Sequence, residues 1–325
     1  MKLKTAIMIS IALLGLSCKG GKQEPRSETG ELQGELTIFH AGSLAVPFRD
    51  ISGAFMKKHP GVTVELESGG SRKMIRRITQ LRQEADILAS SDYAAIEQLM
   101  MPDFAAWYIG FATNRMVIAY GKKAKYADEI GPDNWHEVLL RGGVEFGRGD
   151  HNMDPCGYRT LLAWKLAEKH YGKEGLYAKL DAKCGEKNVR PKSENLLPLL
   201  QSGDMDYAFE YESVARQHGL GFVALPAKID LSDAGMKDHY AAVSVEVTGK
   251  EPGEIQVQKG EPIMYAVTIP KSAPSPELAA AWIMFLVGEE GRGLLKKNFQ
   301  NPLDEPLASG LEHVPATLKG LVKDF

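Results

Sequence analysis

The chain has 325 residues, 44% of them hydrophobic, and a formal net charge of -3, which is enough to bury a full core and to divide it between two lobes. So small a charge excludes a strongly basic nucleic-acid or polyanion binder, and any anion held here must be gripped locally by dipoles and hydroxyls. Three cysteines are too few for a disulfide scaffold.

In chain order, Met1-Lys-Leu-Lys-Thr carries positive charge, Ala6 to Leu16 is apolar, and Ser17-Cys18 follows, the layout of an export signal over residues 1–18. The apolar core is shorter than the about 20 residues a permanent membrane helix needs. Cys18 stands where a bacterial lipoprotein carries its lipid, although Gly15 replaces the usual leucine; simple cleavage is the alternative. Residues 19–33, rich in Gly, Lys, Glu and Ser, read as a flexible tether.

The first strand runs Glu35-Leu-Thr-Ile-Phe-His-Ala, breaks at Gly42-Ser43, and gives way to an amphipathic helix with Val46, Phe48, Ile51 and Phe55 on one face. Ser43 is thereby expected at a helix N-terminus, where free N–H groups and the helix dipole favour an anion. A second copy follows: Val62-Thr-Val-Glu-Leu-Glu-Ser68, then Gly69-Gly70-Ser71, then a helix over 71–83 carrying Arg72, Lys73, Arg76 and Arg77. Two such junctions facing one cleft would make an oxyanion receptor. Each also has a plainer reading as an ordinary turn and cap. The arginine run reads as a solvated helix face, available to a membrane partner or to an incoming anion.

Further strands at 86–89, 111–120, 144–147, 206–211 and 260–269 alternate with helices, which is an α/β pattern with mostly parallel pairing expected. The long segments 111–120 and 260–269 read as two crossovers between α/β lobes, with lobe 1 at 34–115 and 266–325 and lobe 2 at 116–265. One large doubly wound domain with insertions is the alternative. Pro155 suits the first turn of a helix, which makes Asp154 its N-cap. Alternation along Asp206-Tyr-Ala-Phe-Glu-Tyr-Glu-Ser213 leaves both Glu210 and Glu212 eligible for one face. Cys156 and Cys184 could pair in an oxidising compartment, or Cys156 could be buried and free. Ser43 and Cys156 lack an evident base, so no nucleophile stands out. The histidines show no metal spacing, and His40 reads as structural. Trp107, Trp135, Trp164 and Trp282 read as core.

His40-Ala-Gly-Ser-Leu44, Glu67-Ser-Gly-Gly-Ser71, Asp86-Ile-Leu-Ala-Ser-Ser-Asp92, Gly149-Asp-His-Asn-Met-Asp-Pro-Cys-Gly-Tyr-Arg159 and Asp206-Tyr-Ala-Phe-Glu-Tyr-Glu-Ser213 occur in that order. Together they resemble the molybdate/tungstate-binding components of ABC importers, in the subgroup of archaeal tungstate-binding proteins, from Glu35 to about Leu303. The resemblance implies a periplasmic binding protein type II fold, an extracytoplasmic receptor anchored to the membrane, and no enzyme activity. It also implies no cofactor, since molybdate or tungstate is the cargo, a permease as partner, and a monomer without nucleic acid.

Carried over residue by residue, the resemblance puts Gly42, Ser43, Ser71, Asp154, Pro155, Cys156, Glu210 and Tyr211 around the ligand. Asp154 and Glu210 would approach the metal atom itself; core packing is the plainer fate of Tyr211, and Ser90 and Ser91 stay outside as caps. A carboxylate beside a dianion is repelled strongly in a low-dielectric cleft, unless the central atom accepts further oxygen ligands. Molybdenum(VI) and tungsten(VI) do so and sulfur in sulfate does not, so the acids would exclude sulfate and phosphate. A receptor for sulfate or another tetrahedral oxyanion is the alternative, and a secreted enzyme using Asp154 or Glu210 as acid or base is a more remote one.

Overall fold

The computed structural model describes residues 31–325, so the expected export signal, Cys18 and most of the tether lie outside the described residues. Among these residues no helix is long and apolar enough to cross a membrane. Strand β1 (Gln33–Ala41) begins one residue inside the expected tether. It leads through α1 (Ala45–Lys58), β2 (Gly61–Gly69), α2 (Ser71–Thr79), β3 (Ile87–Ser90), α3 (Tyr93–Met100) and β4 (Tyr108–Thr113). The chain then passes to β5 (Met116–Tyr120), α4 (Trp135–Leu139), β6 (Phe146–Gly149), α5 (Pro155–Tyr171), β7 (Val189–Arg190), β8 (Tyr207–Tyr211) and β9 (Gly221–Ala224). It ends with β10 (Ser244–Thr248), β11 (Ile255–Lys259), β12 (Met264–Thr268), β13 (Asn301–Ser309) and β14 (Lys323–Asp324).

Seven strands form one sheet in the order β14-β13-β4-β12-β3-β1-β2, five form a second in the order β7-β6-β8-β5-β9, and β10 pairs with β11 alone. The pairing is mixed rather than mostly parallel. β1 pairs parallel with β2 and β3, as βαβ units require. β12 runs antiparallel to both β3 and β4, because it brings the chain back into the sheet that β4 leaves. β3, β4 and β12 are buried along nearly their whole length, which is why they read as continuous apolar runs.

Neither expected crossover is one long strand. Residues 111–120 break at Asn114 and Arg115, where the chain changes sheets. Asn114 Nδ2 donates there to Ser213 Oγ at 2.8 Å and to Tyr265 Oη at 3.2 Å. In 260–269 only Met264–Thr268 is strand, and Pro262 ahead of it has no N–H for a ladder. The helix expected over 71–83 stops at Thr79, and Arg82 follows at a φ of 54°.

The apolar face of α1 packs as read, with Phe48 against Trp282 at 5.0 Å between ring centroids. Phe209 holds the other core between Trp164 at 5.5 Å and Trp135 at 5.7 Å. All four tryptophans are buried. Cys156 and Cys184 are both free and buried, so the possible pair is not made.

The basic helix is not a solvated face. Arg72 is fully buried and donates to the Thr248 carbonyl. Arg76 donates to Asn152 O at 2.7 Å and Thr248 O at 3.0 Å. Arg77 pairs with Glu67 at 2.5 Å and stacks over Phe39. Only Lys73 of the run is exposed. The Arg72 and Arg76 guanidiniums bind carbonyls of the opposite lobe, a contact between segments that sequence periodicity does not reveal.

Candidate functional site

The two Gly-Ser junctions form one wall of the cleft. Ser43 lies in a short 3-10 turn, Gly42–Leu44, that precedes α1. Its hydroxyl accepts from Tyr265 Oη at 2.9 Å and keeps its own proton to donate. Ser71 is the first residue of α2, with Gly70 as N-cap. Its hydroxyl accepts from Ser91 N at 3.0 Å and lies 3.2 Å from Ser91 Oγ. The helix after β3 is capped by Asp92, whose side chain accepts from Ala94 N at 3.2 Å. Ser91, read only as a cap, in fact bonds Ser71.

The facing wall comes from α5, β8 and a turn between them. Asp154 is the N-cap of α5, accepting from Cys156 N at 3.1 Å, and its other oxygen accepts from Ser193 N at 2.8 Å. Pro155 at the first position needs no donor partner for its nitrogen. Glu210, near the end of β8, accepts from Tyr211 N at 2.9 Å and lies 3.8 Å from Cys156 Sγ. Tyr211 Oη accepts from Arg159 Nη1 at 2.8 Å. The same guanidinium reaches across to the first wall, donating to Ser91 O at 2.6 Å and pairing with Asp92 at 3.1 Å. Asp154, Cys156, Glu210 and Tyr211 are thus gathered in one buried group.

Glu212 is excluded from this group. It opens the next helix instead of continuing β8, and it pairs with Arg115 and, at 2.5 Å, with Arg216. β8 stops at Tyr211, so alternation ceases before Glu212.

Two residues of the site escaped the sequence reading. The 3-10 turn Ser193–Leu196 brings Ser193 and Glu194 against Asp154 and Glu210. A Ser-Glu pair ahead of an apolar run reads as an ordinary helix start, and nothing in its spacing signals burial. Glu194 Oε2 and Glu210 Oε2 are closed off from solvent and have no hydrogen-bond partner, and the buried Ser193 hydroxyl lies against Asp154 and Glu210. Glu194 as a residue keeps some solvent contact, but its Oε2 does not.

Burial pushes Asp154 upward from the usual carboxylate range, against the pull of hydrogen bonds from Ser193 and Cys156. Burial, then the charges of Glu194 and Asp154, drive Glu210 well above it. Burial and Asp154 raise Glu194 to about 8, only partly offset by its own amide and by Lys192. Burial and mutual repulsion thus disfavour charge on each of the three acids. Burial and the Glu210 charge also raise the Cys156 thiol, which makes it a poor nucleophile. His40 is held down to about 4 by burial and contacts Ala41 O at 2.7 Å, so it is neutral and structural. Among the described residues no three His, Cys, Asp or Glu side chains are arranged to hold a metal ion.

The glycines serve the approach of the two walls. A β-carbon at Gly42 would lie 2.2 Å from Glu194 Oε2, and one at Gly70 would lie 2.4 Å from the Met153 carbonyl oxygen. Each glycine admits the opposite lobe, because no side chain stands in the way.

Residues 36–299 match the family described as bacterial extracellular solute-binding protein. An uncharacterized solute-binding protein of Petrotoga mobilis is 47% identical over 293 residues, 90% of this chain and 91% of its own length. The molybdate/tungstate-binding protein WtpA of Pyrococcus abyssi is 41% identical over 343 aligned positions, covering 97% of this chain and 96% of its own. Among solved structures, the periplasmic molybdate-binding protein of Azotobacter vinelandii superposes with a TM-score of 0.55 at 18% identity, over 82% of this chain and 98% of that one. The sulfate-binding protein SubI of Mycobacterium tuberculosis H37Rv superposes with a TM-score of 0.59 at 16% identity, over 83% and 87%. These two likenesses show the fold, the two-lobed α/β plan of type II periplasmic binding proteins. The length and identity of the sequence matches show more: the chain belongs to the bacterial extracellular solute-binding protein family.

Proposed function

We propose that this protein captures molybdate or tungstate outside the cytoplasm and delivers it to an ABC permease. The observation that carries this reading is the buried pair Asp154 and Glu210, with Glu210 Oε2 unpartnered, opposite two Gly-Ser turns. Acids in that position are costly for any closed-shell oxyanion. They become useful when the central atom is a Lewis acid that can add oxygen ligands, as hexavalent molybdenum and tungsten can. The WtpA protein of Pyrococcus abyssi, named for molybdate and tungstate, supports the same cargo. The ligand set is Gly42, Ser43, Ser71, Asp154, Pro155, Cys156, Glu210 and Tyr211, with Asp154 and Glu210 directed to the metal atom.

Ser43 and Ser71 would donate charge-assisted hydrogen bonds to ligand oxygens, roughly twice as strong as neutral ones. Sulfate and phosphate would meet the same acids without compensation. Isothermal titration calorimetry tests this: tungstate and molybdate bind the wild type, sulfate and phosphate do not, and Asp154→Ala or Glu210→Ala weakens binding and narrows that preference. Tight sulfate binding with no response to tungstate would replace this cargo with sulfate. The protein acts as a monomer, without a cofactor or catalysis, anchored through a lipid on Cys18. Mass spectrometry of membrane-fraction protein checks the anchor, and an unmodified Cys18 in soluble protein removes it.

A further inference from the structure

Five buried polar residues meet where the chain crosses between the two large sheets: Ser43 at the first Gly-Ser turn, Asn114 in the break after β4, Ser213 at the start of the helix after β8, Tyr265 in β12 and Gln300 ahead of β13. The backbone fixes the direction of their hydrogen bonds. Asn114 Oδ1 accepts from Arg115 N at 2.9 Å and, more weakly, from Ser213 N at 3.5 Å, so a flipped amide would set N–H against N–H. Asn114 Nδ2 can therefore only donate, and it does so to Ser213 Oγ at 2.8 Å and to Tyr265 Oη at 3.2 Å. The single Tyr265 proton has no acceptor in Nδ2 and goes to Ser43 Oγ, 2.9 Å away. The Ser43 proton is left to point onward. Gln300 Nε2 meanwhile donates to the Ser43 carbonyl at 3.3 Å and to Ser213 Oγ at 3.2 Å, so Ser43 is held at backbone and side chain together. A tetrahedral oxyanion such as tungstate presents acceptors only, and a serine that turned a lone pair towards it would repel it.

We propose that Asn114 and Tyr265 are positioning residues of the oxyanion site, a one-way relay of hydrogen bonds that makes Ser43 a donor to the ligand. They act through Ser43 rather than on the ligand itself. This rests on Ser43 as a ligand donor in the reading above, but not on which oxyanion is bound. Its consequence is that Tyr265 matters to binding only while Ser43 carries a hydroxyl.

The test is tungstate titration by calorimetry of wild type, Tyr265→Phe, Ser43→Ala and the double variant, each melted without ligand to verify folding. Tyr265→Phe should weaken binding roughly tenfold, the value of one good hydrogen bond. In the Ser43→Ala background it should cost less than about twofold, since no hydroxyl is left to direct. Equal losses in both backgrounds would overturn the proposal by making Tyr265 a support of the whole turn, and so would wild-type affinity in Tyr265→Phe. Asn114→Asp exchanges the donor Nδ2 for an acceptor, so it should draw the Tyr265 proton away from Ser43 and weaken binding at least as much. That loss should shrink in a Tyr265→Phe background; a loss that persists there is an effect of the added charge and removes Asn114 from the relay. If Asn114→Asp fails to fold, the Tyr265 and Ser43 cycle still decides. Wild type that ignores tungstate and binds sulfate sinks the cargo alone, and the same cycle run with sulfate then decides the relay. Wild type that binds neither sinks both.

Discussion

The two Gly-Ser junctions are near copies in sequence and behave differently in the fold. At Ala41-Gly42-Ser43 the opposing group is a side-chain carboxyl, Glu194, on a short turn, and the serine is steadied by Tyr265. At Gly69-Gly70-Ser71 the opposing group is backbone, the Met153 carbonyl, and that carbonyl also accepts from Lys73 N at 3.2 Å. The first junction meets chemistry that can move and change its charge. The second meets a rigid seam where the lobes join. A motif thus fixes the local backbone, while the group placed opposite decides how far the junction can yield.

The largest effect is expected from the support of the second junction. Arg159 and Asp92 are a buried pair, both about 3% exposed, and Arg159 also holds Ser91. Arg159→Ala should cost about 3 kcal/mol or more, because it strands a buried charge; urea unfolding measures it, and a loss below about 1 kcal/mol would show the seam to be held elsewhere. Next, Gly70→Ala forces a methyl onto a carbonyl that cannot yield, so tungstate affinity should fall roughly 100-fold through failed closure.

Gly42→Ala meets the far end of a side chain that can swing aside, so roughly tenfold is expected. Much of that loss should vanish in a Glu194→Ala background, giving a coupling that Gly70→Ala lacks. Equal, uncoupled losses at both glycines would erase the distinction drawn here.

The smallest effect is a pH dependence confined to the first junction. Glu194 is raised from 4.5 to about 8, so the folded state binds the extra proton. Its contribution is complete below the unfolded value and is lost as pH rises through about 8. Ligand-free protein should therefore melt lower at about pH 8.5 than at about pH 7, by on the order of 1 kcal/mol, and Glu194→Gln should flatten the trend. His40, held to about 4, acts in the opposite sense, its contribution being lost as pH falls below its unfolded value of 6.5, outside this window.

Much of this was legible beforehand. Strand and helix periods located β1, α1, β2, α2 and α5, and Pro155 marked Asp154 as a cap because proline's missing donor fits only a helix's first turn. The amphipathic spacing of Phe48, Ile51 and Phe55 gave the core face of α1. Such signals are local, since each depends on a residue's own backbone and neighbours a turn away.

What the sequence determined by itself was the order of the elements and the two Gly-Ser turns, because backbone sterics and periodic burial act within a few residues. Only the tertiary structure decided that Arg72 and Arg76 grip Thr248, that Glu212 leaves the site for Arg115, and that Glu194 enters it opposite Gly42, 152 residues away in the sequence. Those outcomes depend on how two lobes meet. Burial of a charged side chain between distant segments leaves no period in the chain, and it is the meeting that sets its partners and its protons.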